Sequence, residues 1–454
     1  MEQQAVSGVP ARATQGTKAR RREWWWAEAS IWTERMVSAL GNGVKGGKWF
    51  SLVDKVIRPA TLEAAWRQVA RNNGAAGVDG QSIERFAAQA ERYLQELQVS
   101  LKDASYRPDP VKRVEIPKGD GRTRPLGIPT VKSLPQAKAG DRIVQTALKM
   151  VIEPIFETQF RPGSYGFRPG RSCKDALREV DRRLKEGFAW VVDADLQSYF
   201  DSIPHDKLMT RVAASISDGP VLSLLEGFLQ QDIMKDMARW RPVLAKAGTG
   251  TPQGAVISPL LANLYLHPLD LLMEESGRRM VRYADDFVIL CRTEEEALAA
   301  LRQVEAWVAA NGLTLHPDKT RVGDSRQPGQ GFEFLGYRFE AGRRLVRKKS
   351  LRVFKDKVRT RTIRSRGDSL ERIITDLNPM LRGWFGYFKH ATPALYGVLD
   401  GFVRRRLRAI LRKQDKRPGI GRCEADHQRW PNAFFATHGL FTLRAAFEQA
   451  RHSR

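Results

Sequence analysis

Two apolar runs in this chain end in acids. Ala189-Trp190-Val191-Val192-Asp193-Ala194-Asp195-Leu196 is a β-branched, apolar stretch that closes on two aspartates. About ninety residues further on, Met280-Val281-Arg282-Tyr283-Ala284-Asp285-Asp286-Phe287-Val288-Ile289-Leu290 has the pattern of a strand, a tight acidic turn and a second strand. Apolar packing gives no reason for adjacent acids at such a tip, because neighbouring like charges repel unless a cation sits between them. A lone Asp-Asp in a basic chain is more often a turn or a surface ion pair. Two buried strands carrying acids toward one point suggest instead a divalent metal site for phosphoryl transfer.

Around these strands the pattern alternates between helices and loops. Residues 61–100 are largely helical, broken by the glycine-rich loop Asn72–Gly80. Prolines and alternation across Tyr106–Lys118 predict an edge hairpin, turned by Gly119-Asp120-Gly121 and returning through Arg124-Pro125-Leu126-Gly127-Ile128-Pro129. Asp141 opens an amphipathic helix with Ile143, Val144, Ala147, Leu148, Val151 and Ile152 on one stripe. Ser164–Ser172 is a loop of glycines, aromatics and arginines before another helix. Thr293 and Glu296 have the spacing of a capping box, and the helix they start ends near Gly312. From about Arg343 basic helical segments replace strands, and Arg404-Arg405-Arg406-Leu407-Arg408-Ala409-Ile410-Leu411-Arg412-Lys413 sets cations around a thin apolar stripe. No internal repeat or long low-complexity linker is present.

Charge narrows the function classes. Seventy-six Lys and Arg against 51 Asp and Glu leave a net charge of +25 over 454 residues. The self-repulsion of such a chain is relieved by a polyanion, and RNA or DNA is the natural one. An anionic membrane fits less well, since the cations recur along the whole chain. No run approaches twenty uninterrupted apolar residues and no apolar core of a signal peptide follows the basic start, so a cytoplasmic protein without membrane spans is expected. Arg20-Arg21-Arg22-Glu23-Trp24-Trp25-Trp26 suits either nucleic acid or a helix docked by its indoles. Cys173, Cys291 and Cys423 are far apart and form no Cys-x-x-Cys pair, which argues against a disulfide framework and a zinc module.

Taken together, Tyr283-Ala284-Asp285-Asp286, the strand ending at Asp195, and Pro252-Gln253-Gly254-Ala255-Val256-Ile257-Ser258-Pro259 resemble the palm of a reverse transcriptase. More specifically, the chain resembles the reverse transcriptase/maturases encoded by bacterial group II introns. Asn72–Gly80 is similar to their N-terminal motif, Leu313–Thr320 and Phe332–Tyr337 continue their order, and Leu377–Phe388 is similar to their thumb. The resemblance implies an α+β right-hand polymerase, with fingers and a palm built on an antiparallel sheet, followed by an α-helical thumb/maturase domain. It implies a basic lead over 1–60, fingers and palm over 61–342, a thumb over 343–425, and a tail over 426–454 without an endonuclease domain.

It also implies roles for particular residues. Asp195, Asp285 and Asp286 would bind two Mg2+ ions, Asp195 touching both, with Asp193 ranked second and the Leu196 carbonyl completing one shell. Lys118 and Arg124 fall where triphosphate-binding cations would lie. Phe200 looks like the gate that stacks under the sugar and excludes a 2′ hydroxyl, and Gln253 like the contact to the incoming nucleotide. Lys319 is assigned either protonation of pyrophosphate or a plain phosphate contact. Arg404, Arg405, Arg406, Arg408, Arg412 and Lys413 are assigned to nucleic-acid phosphates.

The implied activity is RNA-directed DNA synthesis from deoxynucleotide triphosphates on an RNA template and DNA primer or target. Binding of the host intron RNA, with help to its splicing and mobility, accompanies it. The sequence departs from the family pattern at Ser133–Gly140, an insertion before Asp141-Arg142 that puts polymerase efficiency in doubt. It departs again at the C-terminus, where no nuclease pattern follows. Two other readings stay open: a maturase-only splicing factor, and a free-standing reverse transcriptase serving defence or repair. The oligomeric state is not legible.

Overall fold

A computed structural model describes residues 23–117, 123–131, 140–236, 241–243 and 248–452. Lys118 and residues 133–139 of the insertion lie outside the described residues. Strands in chain order are β1 Val111–Pro117, β2 Thr123–Ile128, β3 Trp190–Asp195, β4 Ile233–Asp236, β5 Arg241–Val243, β6 Arg279–Tyr283, β7 Asp286–Cys291, β8 Arg321–Asp324, β9 Phe332–Phe334, β10 Tyr337–Glu340 and β11 Arg343–Val346. Two compact units form. One takes the described residues of Met1–Ala176, Ala194–Ile289 and Leu298–Thr320, the other those of Leu177–Asp193, Leu290–Ala297 and Arg321–Arg454. The class is α+β, with mostly antiparallel sheets followed by a helical region from Lys348.

In the first unit, helix Pro59–Asn72 starts with a proline at its first position and stops where Asn73 turns left-handed at φ 43°. It packs on helix Asp141–Glu157. β1 and β2 pair antiparallel from Lys112↔Ile128 to Pro117↔Thr123. The sequence predicts an edge hairpin, but only β2 is an edge. β1 also pairs in parallel with β4, Val111↔Ile233 and Lys112↔Met234, in a sheet ordered β2-β1-β4-β5. Pro125 sits on the edge strand, where a missing N–H costs nothing.

Helix Asp141–Glu157 is buried on every face, not along one stripe: Arg142, Gln145, Thr146 and Glu153 are buried with the aliphatic residues. Polar residues can sit inside because they have partners. Arg142 Nε donates to Pro129 O at 2.8 Å, and Gln145 Oε1 accepts from Val256 N at 2.8 Å. Asp141, fully buried, accepts from Tyr106 Oη at 2.6 Å, Gln231 Nε2 at 2.8 Å and Asp109 N at 3.1 Å. Burial pushes its carboxyl from 3.8 up to about 8 against the pull of these donors. Below 3.8 both folded and unfolded chains hold this proton; between 3.8 and about 8 only the folded chain does. Ionisation then favours unfolding, and stability falls as pH rises through that window. In Asp141→Asn the dependence should flatten there, whatever the absolute stability, as urea unfolding at pH 5 and pH 8 would read.

In the second unit β3 pairs antiparallel with β8, Trp190↔Asp324 to Asp193↔Arg321. β9, β10 and β11 form an antiparallel meander ordered β11-β10-β9. Its two turns place Leu335-Gly336 at φ 47° and 83° and Ala341-Gly342 at φ 48° and 70°, the paired left-handed residues that match strand twist. Helices Lys348–Arg361, Leu370–Phe388 and Ala394–Gln414 follow. They share a core of Phe354, Leu377, Leu381, Tyr396, Leu399 and Leu407. Residues 426–452, expected as a tail, join it. Trp430, Phe435, Leu440 and Leu443 are buried in that core, and Asp400 accepts from the Leu443 and Arg444 amides at 2.9 and 3.0 Å. Among the described residues no helix is long and apolar enough to cross a membrane.

Candidate active site

β6 and β7 are joined by two residues, Ala284 and Asp285. Ala284 takes φ 61°, where the first residue of a tight hairpin turn is usually glycine. For an alanine this conformation costs about 1–2 kcal/mol and persists only when its surroundings impose it. Two neighbours do so. The loop Gly163–Gly166 lies against the backbone of β6 and the turn, with Arg282 N donating to Gly163 O at 2.9 Å and Tyr165 N to Arg282 O at 2.8 Å. The other neighbour is the buried side chain of Arg282 itself.

Asp195 ends β3, and its backbone carbonyl accepts from His316 N at 2.8 Å, while Gln197 N donates to Thr314 O at 2.8 Å. Leu196, 3 % exposed, thus sits opposite Leu315, with the flanking residues making the hydrogen bonds. This pairing carries the 314–320 segment past the acids. Lys319 Nζ forms an ion pair with Asp195 Oδ2. Asp285 is close enough to Asp195 to feel its charge. Burial, the largest influence, raises the Asp285 carboxyl above its usual range; Asp195 raises it further, while Lys319 and Arg282 hold it down. Asp286 opens β7, half-buried.

The structure therefore brings Asp195, Asp285 and Lys319 together. Asp193 has other partners: in the second unit its Oδ2 pairs with Arg321 Nη2 at 3.3 Å and accepts from Glu333 N at 3.5 Å. Among the described residues no three His, Cys, Asp or Glu side chains already form a metal-holding group. The donor chemistry nonetheless fits a hard divalent cation. Two mutually repelling carboxylates share one ammonium, and a third carboxylate follows directly in the chain.

Gln253, with Arg113, Asp201 and Thr251, helps to line a cavity of about 560 Å3. Half-buried Phe200 does not line it, although Asp201, next in the chain, does. Ser198 turns left-handed at φ 48° and starts the short helix Tyr199–Ser202, with the Phe200 ring 5.5 Å from that of Tyr199. Thr251 N donates to Phe200 O at 2.6 Å and Gly127 N to Gln253 O at 2.5 Å, so β2 is tied to the Pro252-Gln253-Gly254 turn. A Cβ at Gly254, where φ is 105°, would lie 2.5 Å from Gly127 O. The Gln253 amide reaches toward Asp201 Oδ2 at 3.4 Å. Arg124, on β2, is exposed.

The cation run of helix Ala394–Gln414 divides by partner. Arg408, 2 % exposed, donates to Trp430 O at 2.9 Å and Asn432 Oδ1 at 3.2 Å. Arg412 pairs with Asp426 Oδ1 at 2.6 Å. These two hold the C-terminal segment and are not placed for phosphates. Arg405 faces other cations: burial, then Arg422 and Arg359, lower its pKa. Arg406 donates to Thr362 Oγ1 at 3.0 Å and Thr362 O at 2.5 Å, and after burial it feels Arg405, Arg359 and Arg364. Arg404 lies near Asp400, and Lys413 is exposed in the last turn. Arg408→Ala should destabilise the protein by about 3 kcal/mol, because buried acceptors lose their donor. Arg405→Ala should leave stability within about 0.5 kcal/mol but weaken RNA binding and flatten its salt dependence. Thermal melts and filter binding at two salt concentrations separate the two.

Sequence reasoning named Gly166 only as part of the Ser164–Ser172 loop and assigned no role to Arg282 or Asp270. Alternation along β6 puts Arg282 on the opposite face from Val281, yet both are buried. The available signal was an acid, Asp270, set between Leu269 and Leu271-Leu272 in helix Ser258–Glu275.

Comparison with known proteins adds the family. The reverse transcriptase (RNA-dependent DNA polymerase) family matches residues 116–339, and the group II intron maturase-specific domain matches 351–430. Protein YkfC of Escherichia coli (strain K12) is 34% identical over 340 residues, 66% of this chain and 84% of that protein. The group II intron-encoded protein LtrA of Lactococcus lactis subsp. cremoris is 35% identical over 218 residues, 47% of this chain and 34% of LtrA. Among solved structures, a chain of the partial Cas6-RT-Cas1–Cas2 complex aligns over 57% of this chain and 41% of that one, with 26% identity and a TM-score of 0.35, too low to carry an argument. Reverse transcriptases as a family generally depend on divalent metal. A reverse transcriptase match followed along the same chain by a maturase match identifies the protein, which belongs to the group II intron-encoded reverse transcriptase/maturase family.

Proposed function

We propose that this chain acts in the cytoplasm as a two-metal RNA-directed DNA polymerase that also binds its intron RNA and assists splicing and mobility. The observation that carries the reading is the meeting of Asp195, Asp285 and Lys319 at the strand tips within the reverse transcriptase match. In nucleotide addition a primer 3′ oxygen attacks the α-phosphorus in line and pyrophosphate leaves, so positioning and charge carry the rate. Asp195, Asp285 and Asp286 would hold two Mg2+ ions, with the Leu196 carbonyl as a further oxygen donor. Bound there, the ions supply charge to the attacking and leaving oxygens.

The chain's own groups do the rest. Lys319 keeps a proton at Nζ beside Asp195 and offers it, or its charge, to the departing pyrophosphate. Phe200 supports the sugar of the incoming nucleotide. Gln253 orients that nucleotide, and Arg124 and Lys118 neutralise its triphosphate. In the second unit the mutually repelling cations Arg359, Arg405 and Arg406 would take RNA phosphates. The intron RNA would be held by shape and phosphate contacts that favour its splicing-competent state.

Primer extension on an RNA template with magnesium and deoxynucleotides tests the reading. Native protein should make DNA, and Asp285→Ala should not. Intron RNA binding without any product from the native chain would leave the maturase role alone.

A further inference from the structure

Arg282 is fully buried one residue before Tyr283. Its Nε donates to Asp270 Oδ1 at 2.7 Å and its Nη2 to Asp270 Oδ2 at 2.5 Å. Nη1 donates twice, to Asn263 Oδ1 at 3.0 Å and to the backbone carbonyl of Ala284 at 3.0 Å. Asp270 and Asn263 lie seven positions apart on helix Ser258–Glu275, two turns along one face. Asn263 also donates through Nδ2 to Gly166 O at 2.7 Å. The guanidinium thus joins the helix to the left-handed residue of the acid turn, and Asn263 joins the same group to the loop beneath that turn.

Stability does not explain this arrangement. A buried ion pair loses so much hydration that apolar residues of equal volume often serve as well. What the pair gives is orientation. Asp270 takes both parallel N–H groups of the planar fork, so the remaining edge has one direction in which to point. That direction is the Ala284 carbonyl.

We propose that Arg282 is a positioning residue for DNA synthesis: fixed by Asp270 and Asn263, it locks the Ala284 carbonyl and so sets Asp285 and Asp286 in the orientation that meets Asp195. The inference rests on the polymerase reading above and goes beyond it by naming what holds the acid turn.

Arg282→Lys keeps the charge but cannot reproduce a fork that meets a carboxylate, an amide and a carbonyl at once. In single-turnover primer extension its rate constant should fall roughly 10- to 100-fold, the scale expected when reacting groups shift by about 1 Å. The KM for deoxynucleotide should change little, and more Mg2+ should be needed for half-maximal rate. Amide hydrogen exchange of residues 279–291 in the unliganded protein should quicken. Asn263→Ala leaves the Arg282–Asp270 pair intact and should move every readout the same way by a smaller factor; it decides the matter if Arg282→Lys does not fold. A folded variant with lowered melting temperature but native rate constant, Mg2+ requirement and exchange would show a purely structural role and overturn the proposal. If the native protein makes no DNA, the polymerase reading fails separately, while exchange in the two variants still shows whether the clamp holds the turn.

Discussion

Asp195→Asn is expected to lower the rate of RNA-templated primer extension by about a thousandfold or more while leaving the protein at least as stable as the native chain. The activity loss follows from charge. Each carboxylate that holds a catalytic cation contributes several kcal/mol to a charged transition state, and about 4 kcal/mol is three decades in rate. The stability expectation has the opposite sign because Asp195 raises the neighbouring Asp285, so the two repel. Removing one charge relieves that repulsion. The Asp195–Lys319 pair is lost as well, but Lys319 is 53% exposed and such pairs are worth about 0–1 kcal/mol. A structural acid would show the reverse, with a lower melting temperature and a nearly normal rate. Activity and thermal melts on the same preparation read both quantities.

Gly166→Ala is expected to cost both activity and stability, for a reason of space alone. A Cβ there would lie 2.3 Å from Ala284 N and 2.8 Å from Tyr283 C, both backbone atoms. Neither can swing aside as a side-chain end can, so the turn or the loop must move by about 1 Å. A shift of that size at the reacting centre costs about a hundredfold in rate, and forced repacking costs about 1–3 kcal/mol. Gly397→Ala is the contrasting case. It sits in helix Ala394–Gln414 with nothing within 4 Å of the added methyl, and should gain about 0.5–1 kcal/mol. Urea unfolding of the two variants, beside primer extension for Gly166→Ala, checks the pair.

The acid strands were legible because their signal is local. Acids on β-branched runs conflict with apolar packing wherever they occur, and the conflict marked the tips at Asp193–Asp195 and Asp285–Asp286; it was the family resemblance that chose Asp195 over Asp193. The N-cap was legible for the same reason: Glu296 N donates to Thr293 Oγ1 at 3.2 Å, while Glu296 Oε2 reaches one residue beyond the expected box and accepts from Arg292 N at 2.9 Å. What was not legible depends on distant partners. Nothing in Val111-Lys112 announces that Ile233-Met234 will pair with it. Arg282 breaks the alternation of its strand because helix Ser258–Glu275 supplies Asp270 and Asn263 to receive it. Arg408 and Arg412 look no different in sequence from Arg405, yet Trp430 and Asp426, both beyond the helix, turn them inward. A cation run gives charge but not direction.

Under the proposed function Asp195, Asp285 and Asp286 form one cation site, although Lys319 now holds Asp195. The measurement that tests it most directly is anomalous scattering from Mn2+ in crystals of the protein bound to an RNA template, a DNA primer and an incoming nucleotide. The expected result is manganese within coordinating distance of Asp195 and Asp285, with Lys319 Nζ displaced from Asp195 toward the phosphates. Manganese absent from those carboxylates, or Lys319 still paired with Asp195 beside a bound nucleotide, would contradict it.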